Sequence, residues 1–137
     1  TDDQTENLRL LCERVLQPVR DHFNQVVTIS SGFRDPVLSR KIGSSEKSQH
    51  CRGEAADLEI FGVANNELAD WIKENLMFDQ LILERHVPGE PNSGWVHVSY
   101  TKEINSNRKE YLMATRNASG KTEYKQILGL STDRYVK

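Results

Sequence analysis

Ten consecutive residues, Ser48-Gln49-His50-Cys51-Arg52-Gly53-Glu54-Ala55-Ala56-Asp57, constrain this chain more than any other stretch. They are read together with Trp95-Val96-His97-Val98 further on. Ala55 to Ile60 has the character of a strand whose odd and even positions face opposite sides. His50 to Asp57 is too long for one ladder, so Cys51 to Gly53 must turn, and glycine at 53 permits it. In Trp95-Val96-His97-Val98-Ser99 the alternation sets Trp95, His97 and Ser99 on one face and the two valines on the other. A polar face backed by a valine face is the pattern of a strand that floors a cleft.

The 137 residues are enough for one core and too few for two ordinary ones, so a single unit over 1–137 is expected. With 36% apolar and 28% charged residues, and no apolar run near the roughly 20 residues of a membrane span, no membrane partner is expected. A net charge of −2 gives no basic excess for broad capture of nucleic acid. Cys12 and Cys51 form neither a disulfide framework nor the paired thiols of a structural zinc site. The polar, acidic start, Thr1 to Glu6, lacks a secretory pattern, and an export signal removed beforehand stays compatible with it; location is left open.

Along the chain, Leu8, Leu11, Cys12, Val15, Leu16, Val19 and Phe23 recur at helical spacing and predict an amphipathic helix from about Thr5 to Phe23. Pro18 should kink it or begin a separate last turn, and His22 should meet the terminal carbonyls. Val26 to Ser30 reads as a strand, Ser31-Gly32-Phe33-Arg34 as a turn, and Asp35 to Gly43 as a short helix. Ser44 to Gln49 is a loop delivering His50. Asn65 is placed to cap a helix whose buried stripe is Leu68, Trp71, Ile72 and Leu76. Phe78 to Leu83 and Trp95 to Tyr100 are further strands, joined by an arm rich in Pro and Gly that is expected near the site. Over 108–137, Tyr111–Thr115 and Thr122–Ile127 flank Asn117-Ala118-Ser119-Gly120 as a hairpin, and the rest is expected to be a loose tail.

Two imidazoles and a carboxylate are a donor set that zinc accepts when its fourth position is kept for water, and His50, Asp57 and His97 would supply it. By spacing alone, each histidine reads more readily as a hydrogen-bonded strand or loop residue. Cys51, adjacent to His50 in what reads as an extended segment, would point away and act as a small buried residue.

The order Ser-x-His-x-x-Gly-x-Ala-x-Asp, followed by Trp-Val-His-Val and preceded by Ser31-Gly32-Phe33-Arg34, resembles the signature of zinc D-alanyl-D-alanine carboxypeptidases and L-alanyl-D-glutamate endopeptidases. The resemblance runs from about Leu10 to Tyr100 and is nearest to small phage and bacterial members. It implies an α+β fold of hedgehog type, a mainly antiparallel sheet with helices packed on one face and a zinc cleft on the other. It also implies one Zn2+ on His50, Asp57 and His97, and hydrolysis of a peptide bond beside a D-amino acid in the peptidoglycan stem peptide by a metal-activated water. An endolysin-like, phage-type or small bacterial wall enzyme, monomeric by default, fits that picture; carboxypeptidase and endopeptidase are both open.

A general base is then required. Many relatives carry that acid three positions before the last histidine, where this chain has Gly94. Glu84, at the end of Asp79-Gln80-Leu81-Ile82-Leu83-Glu84, is the chosen base, ahead of Glu90 and His86. Its alternative is a surface ion pair with Arg85 or a lysine. Arg34 is assigned to the oxyanion or a substrate carboxylate, with an ion pair to Asp35 or Glu54 as its alternative. Ser48, Gln49 and Trp95 are candidate substrate contacts, the first two also as groups that orient His50. Two other readings compete: a zinc-binding hedgehog-like module without turnover, kept open by Gly94, and a metal-dependent hydrolase of another amide or ester.

Overall fold

The N-terminal amphipathic stripe forms in three pieces in the computed structural model, which describes residues 2–32, 49–129 and 134–136. They are α1 (Asp2–Leu11), a π-helical turn (Cys12–Leu16) and α2 (Gln17–Phe23). Pro18 sits in the first turn of α2, and the wider turn lies just ahead of it, where a regular ladder would need the missing N–H. Leu11, Val15 and Val19, four apart, are buried. The wider turn keeps residues four apart in line, so Cys12, expected in the stripe, falls beside it and is exposed. Asn24 ends α2 in the left-handed conformation with φ 52°. His22 does not serve the helix end: its ring stacks on Trp71 at 4.4 Å.

Seven strands make one sheet: β1 (Val27–Ser31), β2 (Ala55–Ile60), β3 (Gln80–Glu84), β4 (Trp95–Ser99), β5 (Glu110–Arg116), β6 (Thr122–Gly129) and β7 (Arg134–Val136). Their order is β1-β2-β4-β3-β5-β6-β7, and only β3–β5 is parallel. The fold is α+β with a mainly antiparallel sheet, as the resemblance implied. The hairpin is β5–β6, turning at Asn117 to Gly120. Where a loose tail was expected, Arg134–Val136 instead pairs with β6. The expected helix from Asp35 to Gly43 lies outside the described residues.

One face of the sheet carries the core. Ala56, Leu58 and Ile60 of β2, Val96 and Val98 of β4, Leu81 and Leu83 of β3, and Tyr111 and Met113 of β5 join one apolar cluster. Leu11, Val15 and Val19 belong to the same cluster, as do Leu68, Ala69 and Ile72 of α3 (Asn65–Asn75), so the helices cover this face. Trp71 and Leu76 pack at its rim. Asn65 does not cap α3. Ala64 holds that position, and the Asn65 side chain, 1% exposed, turns toward the loop before β4.

Gly53 joins the 3₁₀ turn Gln49–Arg52 to β2 with φ 75°, and a Cβ there would lie 2.7 Å from the backbone oxygen of Gln4 in α1. Gly62 also has positive φ, 85°, but has open space around it. Gly62→Ala should therefore cost only the left-handed conformation, about 1–2 kcal/mol. Gly53→Ala adds a collision with helix backbone, about 1–3 kcal/mol more. Denaturant midpoints of the two variants test this, and equal losses would show that α1 does not press on the turn.

Candidate metal centre

Strand register brings two of the three proposed ligands together. Asp57 pairs with His97 across β2 and β4, with both side chains on the face away from the helices. His97 Nδ1 lies 3.0 Å from Asp57 Oδ1. His50 arrives from the 3₁₀ turn, which corrects the expectation of an extended segment at His50-Cys51. That turn is pinned on three sides. Glu54 N–H donates to the Gln49 carbonyl at 2.9 Å, Asn7 Nδ2 donates to the Arg52 carbonyl at 2.8 Å, and Gln49 Nε2 donates to Asp79 Oδ2 at 2.9 Å. Asp79 is held in turn by Arg108, whose Nε donates at 2.8 Å.

His50 is 4% exposed, and its Nδ1 lies 2.9 Å from the Gly32 carbonyl oxygen. A carbonyl only accepts, so Nδ1 carries the proton. Nε2 is thereby turned to Asp57 Oδ1, 3.5 Å away. In the neutral ring this aims a lone pair at a carboxylate, a juxtaposition that a cation between them relieves. A backbone carbonyl fixing the far nitrogen is also the usual support of a metal-ligating histidine.

Ligand atoms of His50, Asp57 and His97 all lie within 4.8 Å of one another. Burial raises the Asp57 carboxyl, and the imidazoles of His50 and His97 set against it outweigh burial, holding the group at about 2. The carboxylate is therefore charged at any working pH. Two nitrogens and one anionic oxygen converging in this way fit a divalent cation. Among the described residues, this is the cluster of His, Cys, Asp and Glu that could hold one.

The profile of the Peptidase M15 family matches residues 2–99. The chain belongs to the Peptidase M15 family. No curated protein matches it. Peptidases of the M15 family are metal-dependent, and the cluster is a candidate site for such an ion.

The M15 match ends at the last residue of β4, and β3 within it carries Glu84. Ile82 pairs with His97 and Glu84 with Trp95, which places Glu84 on the metal-ligand face, diagonal to His97. It makes no hydrogen bond or ion pair among the described residues. Burial pushes its carboxyl above the ordinary value, reinforced by Asp57 and opposed by His97, Arg85 and His50. The alternative reading of Glu84, a surface ion pair with Arg85 or a lysine, is not formed among the described residues: Arg85 instead lies over the Trp95 ring, 5.7 Å from its centre.

The two alternatives to Glu84 are placed otherwise. His86 is buried, with Nδ1 3.2 Å from the Ser93 carbonyl oxygen. Glu90 is exposed in the turn bridged by Val87 and Glu90. Gly94 has φ 69°, and a Cβ on it would fall 1.9 Å from the Glu84 carbonyl oxygen. An acidic residue at 94 would thus collide with the backbone that carries Glu84. Asn65 holds the same loop, its Nδ2 within 3.1 Å of the Ser93 and Gly94 carbonyl oxygens and 3.2 Å of Glu59 Oε1.

Of the remaining candidates, Trp95 is partly exposed beside His97, and Gln49 has committed its amide to Asp79. Arg34, Ser48 and the Cys51 side chain lie outside the described residues. The supports at Gly32, Asp79, Arg108 and Asn65 were not anticipated. All four act through main-chain carbonyls or pairings across the fold, which leave no local spacing to read.

Asp57→Asn removes the anionic donor and should lower bound divalent metal from about one ion per chain to near none; elemental analysis after dialysis measures it, and full occupancy would show that Asp57 is not a ligand. Glu84 gives a second, thermal test. A carboxyl whose folded pKa is raised lends its stability below the unfolded pKa and loses it as pH rises through the folded value. Glu84→Gln should therefore raise the Tm of the metal-free protein at neutral pH, and the gain should fade in acid. A lower Tm at neutral pH would contradict the burial argument.

Proposed function

We propose that this M15 protein is a zinc-dependent peptidase that hydrolyses a peptide bond beside a D-amino acid in the peptidoglycan stem peptide, acting on the wall as a monomer. The observation that carries the reading is the convergence of His50, Asp57 and His97 on one side of the sheet, with Glu84, which has no partner among the described residues, on the same face. The resemblance at Ser31 to Arg34, His50 to Asp57 and Trp95 to Val98 supports the choice of substrate.

Two nitrogens and a carboxylate oxygen without thiolate suit zinc. When bound, zinc supplies Lewis acidity toward a water and a scissile carbonyl. Glu84 takes the proton of the attacking water on its carboxylate and returns it to the leaving amine nitrogen. Its raised pKa suits both halves of that shuttle. Asp57 holds both imidazoles in orientation while remaining anionic. Trp95, beneath Arg85, offers a flat wall next to the reacting bond. Arg34 and Ser48 complete the substrate contacts in this reading, Arg34 with its planar fork on a carboxylate or the oxyanion.

The test is mass spectrometry of products from a defined muropeptide, run on zinc-loaded protein with and without chelator. Loss of a terminal D-alanine and cleavage between L-alanine and D-glutamate give different masses, which identifies the type. Glu84→Gln should keep its zinc and lose about 10²–10⁴-fold in kcat. Undiminished turnover would remove Glu84 from the chemistry. A zinc-loaded wild-type protein that cuts nothing favours the module without turnover, and one that prefers unrelated amides favours the other hydrolase.

A further inference from the structure

The family match stops at residue 99, yet the sheet continues past the site through β5 and β6. β5 is hydrogen-bonded alongside β3, with Glu84 opposite Ala114, and β6 alongside β5, with Ala114 opposite Tyr124. Trp95 opposite Glu84 extends the row on the other side. Residues directly opposite share a face, so Trp95, Glu84, Ala114 and Tyr124 form one row on the face of Asp57 and His97. Burial agrees with this parity, because Tyr111, Met113 and Ile127 go into the core instead.

Ala114 contributes only a methyl, itself 1% exposed between its two larger neighbours. Strands are about 4.8 Å apart, so the Tyr124 backbone stands about 10 Å from that of Glu84, roughly three residues of extended peptide. The tyrosine is 56% exposed, and its hydroxyl makes no hydrogen bond among the described residues. Burial and the nearby Glu84 charge both push the phenol up, which keeps it a donor. A lysine or arginine there would pair with Glu84 and lower its pKa, whereas a neutral phenol offers a donor without quenching the base.

We propose that Tyr124 contacts the substrate, its hydroxyl donating a hydrogen bond to a main-chain carbonyl of a peptide lying across β3, β5 and β6, so that the β5–β6 hairpin forms one wall of the cleft. This rests on the peptidase reading of the metal centre. It adds to that reading a recognition element from a part of the chain the family match does not include.

The test compares Tyr124→Phe with wild type on the muropeptide that wild type cleaves. KM should rise about 3–10-fold for one lost hydrogen bond while kcat stays within about twofold. Bound zinc and Tm should be unchanged, and Lys125→Gln, on the opposite face of β6, should behave as wild type. In zinc-loaded Glu84→Gln protein, calorimetry with the same muropeptide should show Kd weakened by the same factor when Tyr124→Phe is added. Unchanged KM and Kd overturn the proposal and leave the peptidase reading standing. A Tyr124→Phe defect that tracks lost zinc or lowered Tm also overturns it, since the tyrosine would then be structural. A wild-type protein that neither cuts nor binds any muropeptide overturns the peptidase reading itself, and Tyr124's assignment with it.

Discussion

The candidate metal centre depends on one register, that of β4 against β2. Asp57 stands opposite His97 because Ala56 and Leu58 are paired with Val98 and Val96 on the other face. All four apolar residues are at most 1% exposed, and burying a leucine or valine is worth about 1.5–3 kcal/mol. A slip of one residue would turn the valines to the metal face and His97 into the core. Hydrophobic packing on one side of the sheet therefore sets a polar geometry on the other, and the ligands need not find each other by their own attraction.

Two carboxylates on this face are treated in opposite ways. Asp57 sits between two imidazoles and is held at about 2, while Glu84 has burial without a donor among the described residues and is pushed upward. Divergent environments of this kind are how one site keeps an anion for binding and a second group for moving protons. Gly94 belongs to the same arrangement, because the loop backbone must pass within collision distance of the Glu84 carbonyl, and only a residue without Cβ can do so. The glycine that raises the possibility of lost activity in the sequence is, in the fold, what lets the loop backbone pass beside Glu84.

Alternation and helical spacing carried most of the fold to the surface of the sequence. Ala55–Ile60, the hairpin around Asn117 to Gly120, and the stripe through Leu11, Val15 and Val19 could each be read locally because each shows its period within a few residues. The candidate ligand set could be picked out because its spacing matches a family pattern. What stayed hidden was non-local or competitive. Cys12 has the chemistry of a stripe residue, but the π turn moves the stripe past it. Asn65 looks like a cap by position, yet a buried amide with three carbonyl or carboxylate partners wins over one helix-end N–H. His22 gains more from the face of Trp71 than from terminal carbonyls. Strand pairing across Arg134–Val136 depends on β6 and has no local signal.

The three candidate ligands differ in how they are supported, and this decides where a bound metal would couple to the fold. Asp57 and His97 ride on central strands whose apolar faces are fully buried, so their positions are set by the core whether or not an ion is bound. His50 rides on a short turn held by a side-chain hydrogen bond from Asn7, by the one that its own Gln49 donates to Asp79, and by the close pass of Gly53 against α1. A ligand that binds only the folded arrangement stabilises most what would otherwise open most easily. Bound metal would therefore tighten the His50 turn and, through Gly53 and Asn7, the seating of α1 far from the ion. The N-terminal helix, which carries no ligand, is in this way part of the metal centre's second support.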